Sequence, residues 1–108
     1  MAISSVYDQD RCILRIDGTL TIYDASAAKQ RMLDELNIAE HLEVDLAGIA
    51  EFDTAGVQLL LALKIEANRQ QKNLSFHGHS KAVLAVMDLY NMAGVFGDPV
   101  IISRGRTA

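Results

Sequence analysis

Tryptophan is missing from this 108-residue chain, proline and cysteine occur once each, and aromatic residues make up only 6% of it. Each shortage removes a class of protein. The single thiol, Cys12, has no partner for an internal disulfide, which excludes a stapled secreted module and points to a reducing compartment. The N-terminus shows no basic-then-apolar leader, and no apolar run nears the roughly 20 residues of a membrane span. The expected location is the cytoplasm, without membrane insertion. Few aromatics together with a formal charge of −4, from 14 acidic against 10 basic residues, exclude the basic face that direct nucleic-acid binding uses. Gly94-Val95-Phe96-Gly97 is not a phosphate loop, because it ends a helical stretch and has no lysine. A hydrolase elbow and a matched nucleophile, base and acid are also absent, so no enzymatic activity is expected. His77-Gly78-His79, the one dense histidine group, has no other ligand type close by. It reads as a turn, and no metal or other cofactor is expected.

What is present is a hydrophobic half of the chain, enough for one domain over residues 1–108. Ile3 to Tyr7 and Arg11 to Asp17 read as strands joined by Asp8, Gln9 and Asp10 into an antiparallel hairpin, closed by Gly18. Ala25, Ala28, Met32 and Leu36 recur at helical spacing after Asp24, which is placed as the N-cap. His41 to Leu46 alternates as a third strand. A second helix runs from Asp53 to about Gln71, a strand from Leu74 to His77, a third helix from Ser80 to near Gly94, and a last strand from Val100 to Ser103 after Pro99. Strands alternating with helices imply parallel neighbours joined by right-handed crossovers. The expected fold class is α/β, a small mixed and mostly parallel sheet in the order β-β-α-β-α-β-α-β.

The segment with the most chemistry is Glu51-Phe52-Asp53-Thr54-Ala55-Gly56-Val57. With Asp53 as N-cap, its carboxylate accepts from first-turn amides, and Thr54 stands at the first helical position with its hydroxyl outward. Ala55 and Gly56 leave that hydroxyl unshielded. A helical glycine costs about 1 kcal/mol relative to alanine. Two reasons for it stay open: close packing of the helix start on a strand, or access for another protein's active site. Further along, Gly56, Leu59, Leu60, Leu63 and Ala67 form a core stripe, and Val57, Leu61 and Ile65 form a second row. That row either packs on a neighbouring helix or meets a partner. Cys12, on the apolar face of its strand, is placed in the core.

Gly18-Thr19-Leu20, Asp24-Ala25, Val44-Asp45-Leu46, Asp53-Thr54-Ala55-Gly56 and Ser80, in that order, resemble the STAS domain of anti-sigma factor antagonists and sulfate transporters. The likeness spans nearly the whole chain. It implies a partner-switching regulator in signal transduction and transcription, a phosphoprotein whose serine or threonine in this motif, here Thr54, is phosphorylated by a kinase that also restrains a sigma factor. A phosphatase would reset it. Threonine stands where serine is frequent, and Ala55 leaves one hydroxyl for the reaction. Asp24 either caps its helix or touches the kinase, with Tyr23 as an adjacent anchor; Asp53, Thr54, Ala55, Gly56, Val57 and Leu61 complete the implied contact surface. Two other roles remain under the same resemblance: a cytoplasmic subunit that docks on an ABC transporter's ATPase, and a small-molecule-binding domain.

Overall fold

The structure, a computed structural model, describes residues 1–90, with side chains through 88; the expected strand at Val100–Ser103 and the helix end near Gly94 lie outside the described residues. The elements run β1 (Ala2–Asp8), β2 (Arg11–Leu20), α1 (Ala25–Ile38), β3 (His41–Phe52), α2 (Thr54–Arg69), β4 (Asn73–His77) and α3 (Lys81–Tyr90). They build a four-stranded sheet in the order β1-β2-β3-β4. Its first pair is antiparallel and the other two are parallel. This is the expected α/β class.

Alternation sets which face is covered. On β2, Cys12, Leu14 and Ile16 are buried while Arg11, Ile13 and Arg15 are exposed. The buried row meets Ala28, Met32 and Leu36 of α1 and Leu59, Leu60 and Leu63 of α2 in one core. Burying each of the leucine, isoleucine and methionine side chains among them contributes about 1.5–3 kcal/mol. Desolvation in that core pushes the Cys12 thiol above its ordinary range. Glu35, a polar position by sequence, is buried as well: it accepts from Arg31 Nε at 3.1 Å and Ser5 Oγ at 3.3 Å, tying α1 to the edge strand β1.

Two elements run further than the sequence rhythm. β2 continues past Asp17 to Leu20, and β3 continues past Leu46 to Phe52. The register explains why the alternation fails there. Arg15 pairs with Asp45 but Asp17 with Gly48, and Gly18 pairs with Ile49 but Thr19 with Glu51, so β3 carries an extra residue twice. These bulges stretch the buried spacing from two residues (Leu42, Val44, Leu46) to three (Ile49, Phe52). The hairpin loop is one residue shorter than expected, since Asp8 pairs with Arg11 and only Gln9 and Asp10 turn.

The C-terminus of α2 closes with a left-handed residue that is not glycine. Gln71 has φ +59°, its N–H donates to the Asn68 carbonyl at 3.1 Å, and the Lys72 N–H donates to the Ala67 carbonyl at 2.9 Å. This is the Schellman pattern with glutamine where glycine is usual. Gln71→Gly should therefore raise stability by about 1 kcal/mol by removing the Cβ penalty. Urea denaturation reads it; a lower midpoint for Gln71→Gly contradicts the assignment.

Candidate functional site

Parallel strands end at the same edge of a sheet. Thr19 stands beside Glu51 and Leu20 beside Phe52, so the loop after β2 and the start of α2 emerge side by side. Asp53 joins them. Its backbone is extended (φ −134°, ψ −172°), and one carboxylate oxygen accepts from the amides of Ala55 at 3.0 Å and Gly56 at 3.3 Å, the cap foreseen from sequence. The other oxygen accepts from the Ile22 amide at 3.0 Å, 31 positions back in the chain. A single side chain thus holds the helix start and the neighbouring loop.

Asp24 departs from its expected capping role. It occupies the N-cap position of α1, and its carbonyl accepts from the Ala28 amide at 2.9 Å, but its carboxylate makes no cap bond. That carboxylate turns back to accept from Thr19 Oγ1 at 2.8 Å, the Thr21 amide at 3.0 Å and Thr21 Oγ1 at 3.2 Å. Bonding from the Thr21 amide, then from the Thr19 hydroxyl, holds its carboxyl below the usual range. The loop gives Asp24 more donors than the helix end does. The two loops converge, so Glu51, Asp53 and Asp24 stand at the same edge of the sheet as a group of three carboxylates. Two of its three carboxylates are nevertheless committed to hydrogen bonds.

Between these clamps stand the exposed groups. Thr54 is the first residue of α2, exposed, and its hydroxyl has no hydrogen-bond partner among the described residues. Tyr23 is 94% exposed and Ile22 67% exposed on the adjoining loop. Ala55 is half-buried. Gly56 is buried, and a Cβ there would lie 2.5 Å from Phe52 Cε1 and 2.9 Å from the Leu20 carbonyl oxygen. Close packing accounts for that glycine. The second row of α2 divides: Val57 is in the core, Leu61 is half-buried against it, and Ile65 is 61% exposed. Val57 shapes the surface from beneath and does not lie on it.

The α1–α2 seam was not legible from sequence. A depression of about 430 Å³ opens beside Thr54, between Ala25, Ser26 and Lys29 on α1 and Ala55, Gln58 and Ala62 on α2. It forms only where two helices meet, with alanines on both sides as its one sequence trace. Of His77-Gly78-His79, His77 still closes β4, while Gly78 takes φ +65° and, with His79, connects the strand to α3, whose start is capped by the Ser80 hydroxyl accepting from the Val83 amide at 3.2 Å. Among the described residues no helix is long and apolar enough to cross a membrane.

Comparison with known proteins adds a family and a set of related folds. A family model described as "Mlab, STAS domain" matches residues 5–102. A candidate anti-sigma factor antagonist of Thermotoga maritima is similar at TM-score 0.79 and 18% identity, over 95% of this chain and 90% of that one. An anti-sigma factor antagonist from Mycobacterium paratuberculosis is similar at TM-score 0.78 and 15% identity, over 93% of this chain and 86% of that one. The Bacillus cell fate determinant SpoIIAA in its phosphorylated form is similar at TM-score 0.67 and 14% identity, over 93% of each chain. These likenesses establish a shared fold. The comparison with curated proteins finds no significant match.

Proposed function

Because the chain belongs to the Mlab-type STAS-domain family, we propose that it is a protein-binding switch of the anti-sigma factor antagonist kind, with Thr54 as the phosphoacceptor of a partner kinase. The observation that carries this reading is the exposed, unbonded Thr54 hydroxyl at a capped helix start, beside the protruding Ile22 and Tyr23. The kinase transfers the γ-phosphoryl group of ATP to Thr54 Oγ1; the hydroxyl proton goes to a base of the kinase and ADP leaves. A phosphatase returns the hydroxyl by hydrolysis.

The phosphate brings about −1.5 to −2 charges to a helix N-terminus, where the macrodipole favours an anion by about 0.3–1 kcal/mol, so this domain keeps its fold. SpoIIAA is similar to this chain at TM-score 0.67 in both its unphosphorylated and its phosphorylated form, which supports a switch without refolding. The cost falls on the complex. At an effective dielectric of about 20, a unit charge about 6 Å from a like charge costs roughly 3 kcal/mol, on the order of a hundredfold in affinity. With a purified partner kinase, Thr54→Ala should bind close to wild type and Thr54→Glu far more weakly in calorimetric titration. Loss of binding by Thr54→Ala with full binding by Thr54→Glu contradicts electrostatic release.

A second reading uses the same surface: docking on an ABC transporter's ATPase, with Thr54 as a permanent contact. The apolar exposure of Ile22 and Tyr23 next to the small Ala55 favours it, since such a contact needs no charge control. An ATPase partner bound equally well with and without phosphate on Thr54 selects this reading over the first.

A further inference from the structure

We propose that the furrow between α1 and α2 receives an acidic segment of the partner protein, with Lys29 as its counter-charge; this rests on the reading that the Thr54 face is the docking face. Two depressions have Lys29 and Ala62 in common and so lie end to end along the seam as one furrow, with Lys29 where they meet. The first, of about 430 Å³, begins at Ala25 and Ala55, one residue from Thr54. The second, of about 440 Å³, runs on to Asn37 and Gln70 near the other ends of both helices. The channel is therefore continuous with the switch surface, and a chain leaving Thr54 can lie along it.

Charge selects the occupant. Among the described residues, Arg11, Arg15, Arg31 and Arg69 each pair with a carboxylate, and Lys64 and Lys72 donate to backbone carbonyls. Lys29 and Lys81 have neither kind of partner. Of these two only Lys29 lines the furrow, midway along it. Arg69 also reaches the channel, but Glu66 already neutralises it. A docked segment would take the Lys29 ammonium out of water, and a charge covered in that way requires an opposite charge beside it. A glutamate or aspartate side chain supplies it. Ser26 and Gln58, on the same walls, offer hydrogen bonds to the backbone of an extended segment. The rest of the wall beside Thr54 is Ala25, Ala55 and Ala62 with the buried Leu59, and the three alanines leave room for such a backbone to lie close.

The test is charge reversal against the purified ATP-binding partner that the Thr54 experiment uses, measured at low and moderate salt. Lys29 is exposed, and equal melting temperatures show that its variants fold. Lys29→Glu is expected to weaken binding by about tenfold or more and Lys29→Ala by less, with the salt dependence reduced in both. Lys81→Glu, the reversal of the other unpaired lysine among the described residues, should bind like wild type. If Lys29→Glu binds within twofold of wild type while Thr54→Glu loses affinity, the furrow is not the acidic segment's site and the switch reading stands. If both variants bind like wild type, the inference and the reading beneath it are both overturned.

Discussion

Asp53→Ala is expected to destabilise the domain by about 2–3 kcal/mol. The estimate joins a lost N-cap, about 1 kcal/mol, to a lost charge-assisted hydrogen bond, about 1.5 kcal/mol where water can partly replace it. The cap is the pair of bonds from Ala55 and Gly56 to one oxygen, and the second loss is the bond from Ile22 to the other. Asp53→Ser separates them. Serine keeps a capping oxygen but has no second acceptor, so it should recover about 1 kcal/mol of the alanine loss while the Ile22 amide still loses its partner. Urea denaturation reads the first effect and hydrogen exchange at the Ile22 amide reads the second. Equal destabilisation by alanine and serine, with Ile22 exchange unchanged in both, contradicts the picture of one carboxylate holding two segments. This matters for function because Tyr23, the most exposed large side chain near Thr54, follows directly after the clamped Ile22.

Gly56→Ala should also destabilise, by about 2 kcal/mol, although helix propensity alone predicts a gain of about 1 kcal/mol. Sterics decide the sign. The added methyl would stand 2.5 Å and 2.7 Å from Phe52 ring carbons and 2.9 Å from the Leu20 carbonyl oxygen. A ring that is 9% exposed has little room to swing, and the strand backbone has less. Overpacking of this kind costs about 1–3 kcal/mol, and contact with both a ring and a backbone atom puts it at the upper end. In a Phe52→Leu background Gly56→Ala should cost less than it does in the wild type, since the ring contacts are gone but the Leu20 carbonyl stays. A rise in the urea midpoint for Gly56→Ala alone overturns the packing argument.

Local chemistry carried much of this site in advance. An aspartate before Thr54, Ala55 and Gly56 at the head of an apolar helix is a cap by its own stereochemistry, and the structure places it so. The hairpin and the buried stripe from Gly56 to Ala67 were legible for the same reason, since each depends on neighbours a few positions away. Asp24 stands at the N-cap as the sequence placed it, but its carboxylate is drawn away from the helix end by Thr19 and Thr21, donors that the folded-back loop brings within reach. β3 was cut short at Leu46 because two bulges, set by pairing with β2, replace the two-residue period with three. Val57 looked available on a helical wheel and is buried once α2 lies on the sheet. The bond from Ile22 to Asp53 is a tertiary fact with no local signature, and the α1–α2 furrow leaves only the alanines on its walls as a trace.

The central claim is that one hydroxyl at one helix start carries the switch. Its most direct test is fragment mass spectrometry of the full chain after incubation with the purified partner kinase and ATP. The account predicts a single phosphate, on Thr54, and none on Thr54→Ala under the same conditions. Phosphate on any other residue, or none from a kinase shown to be active in the same preparation, contradicts it.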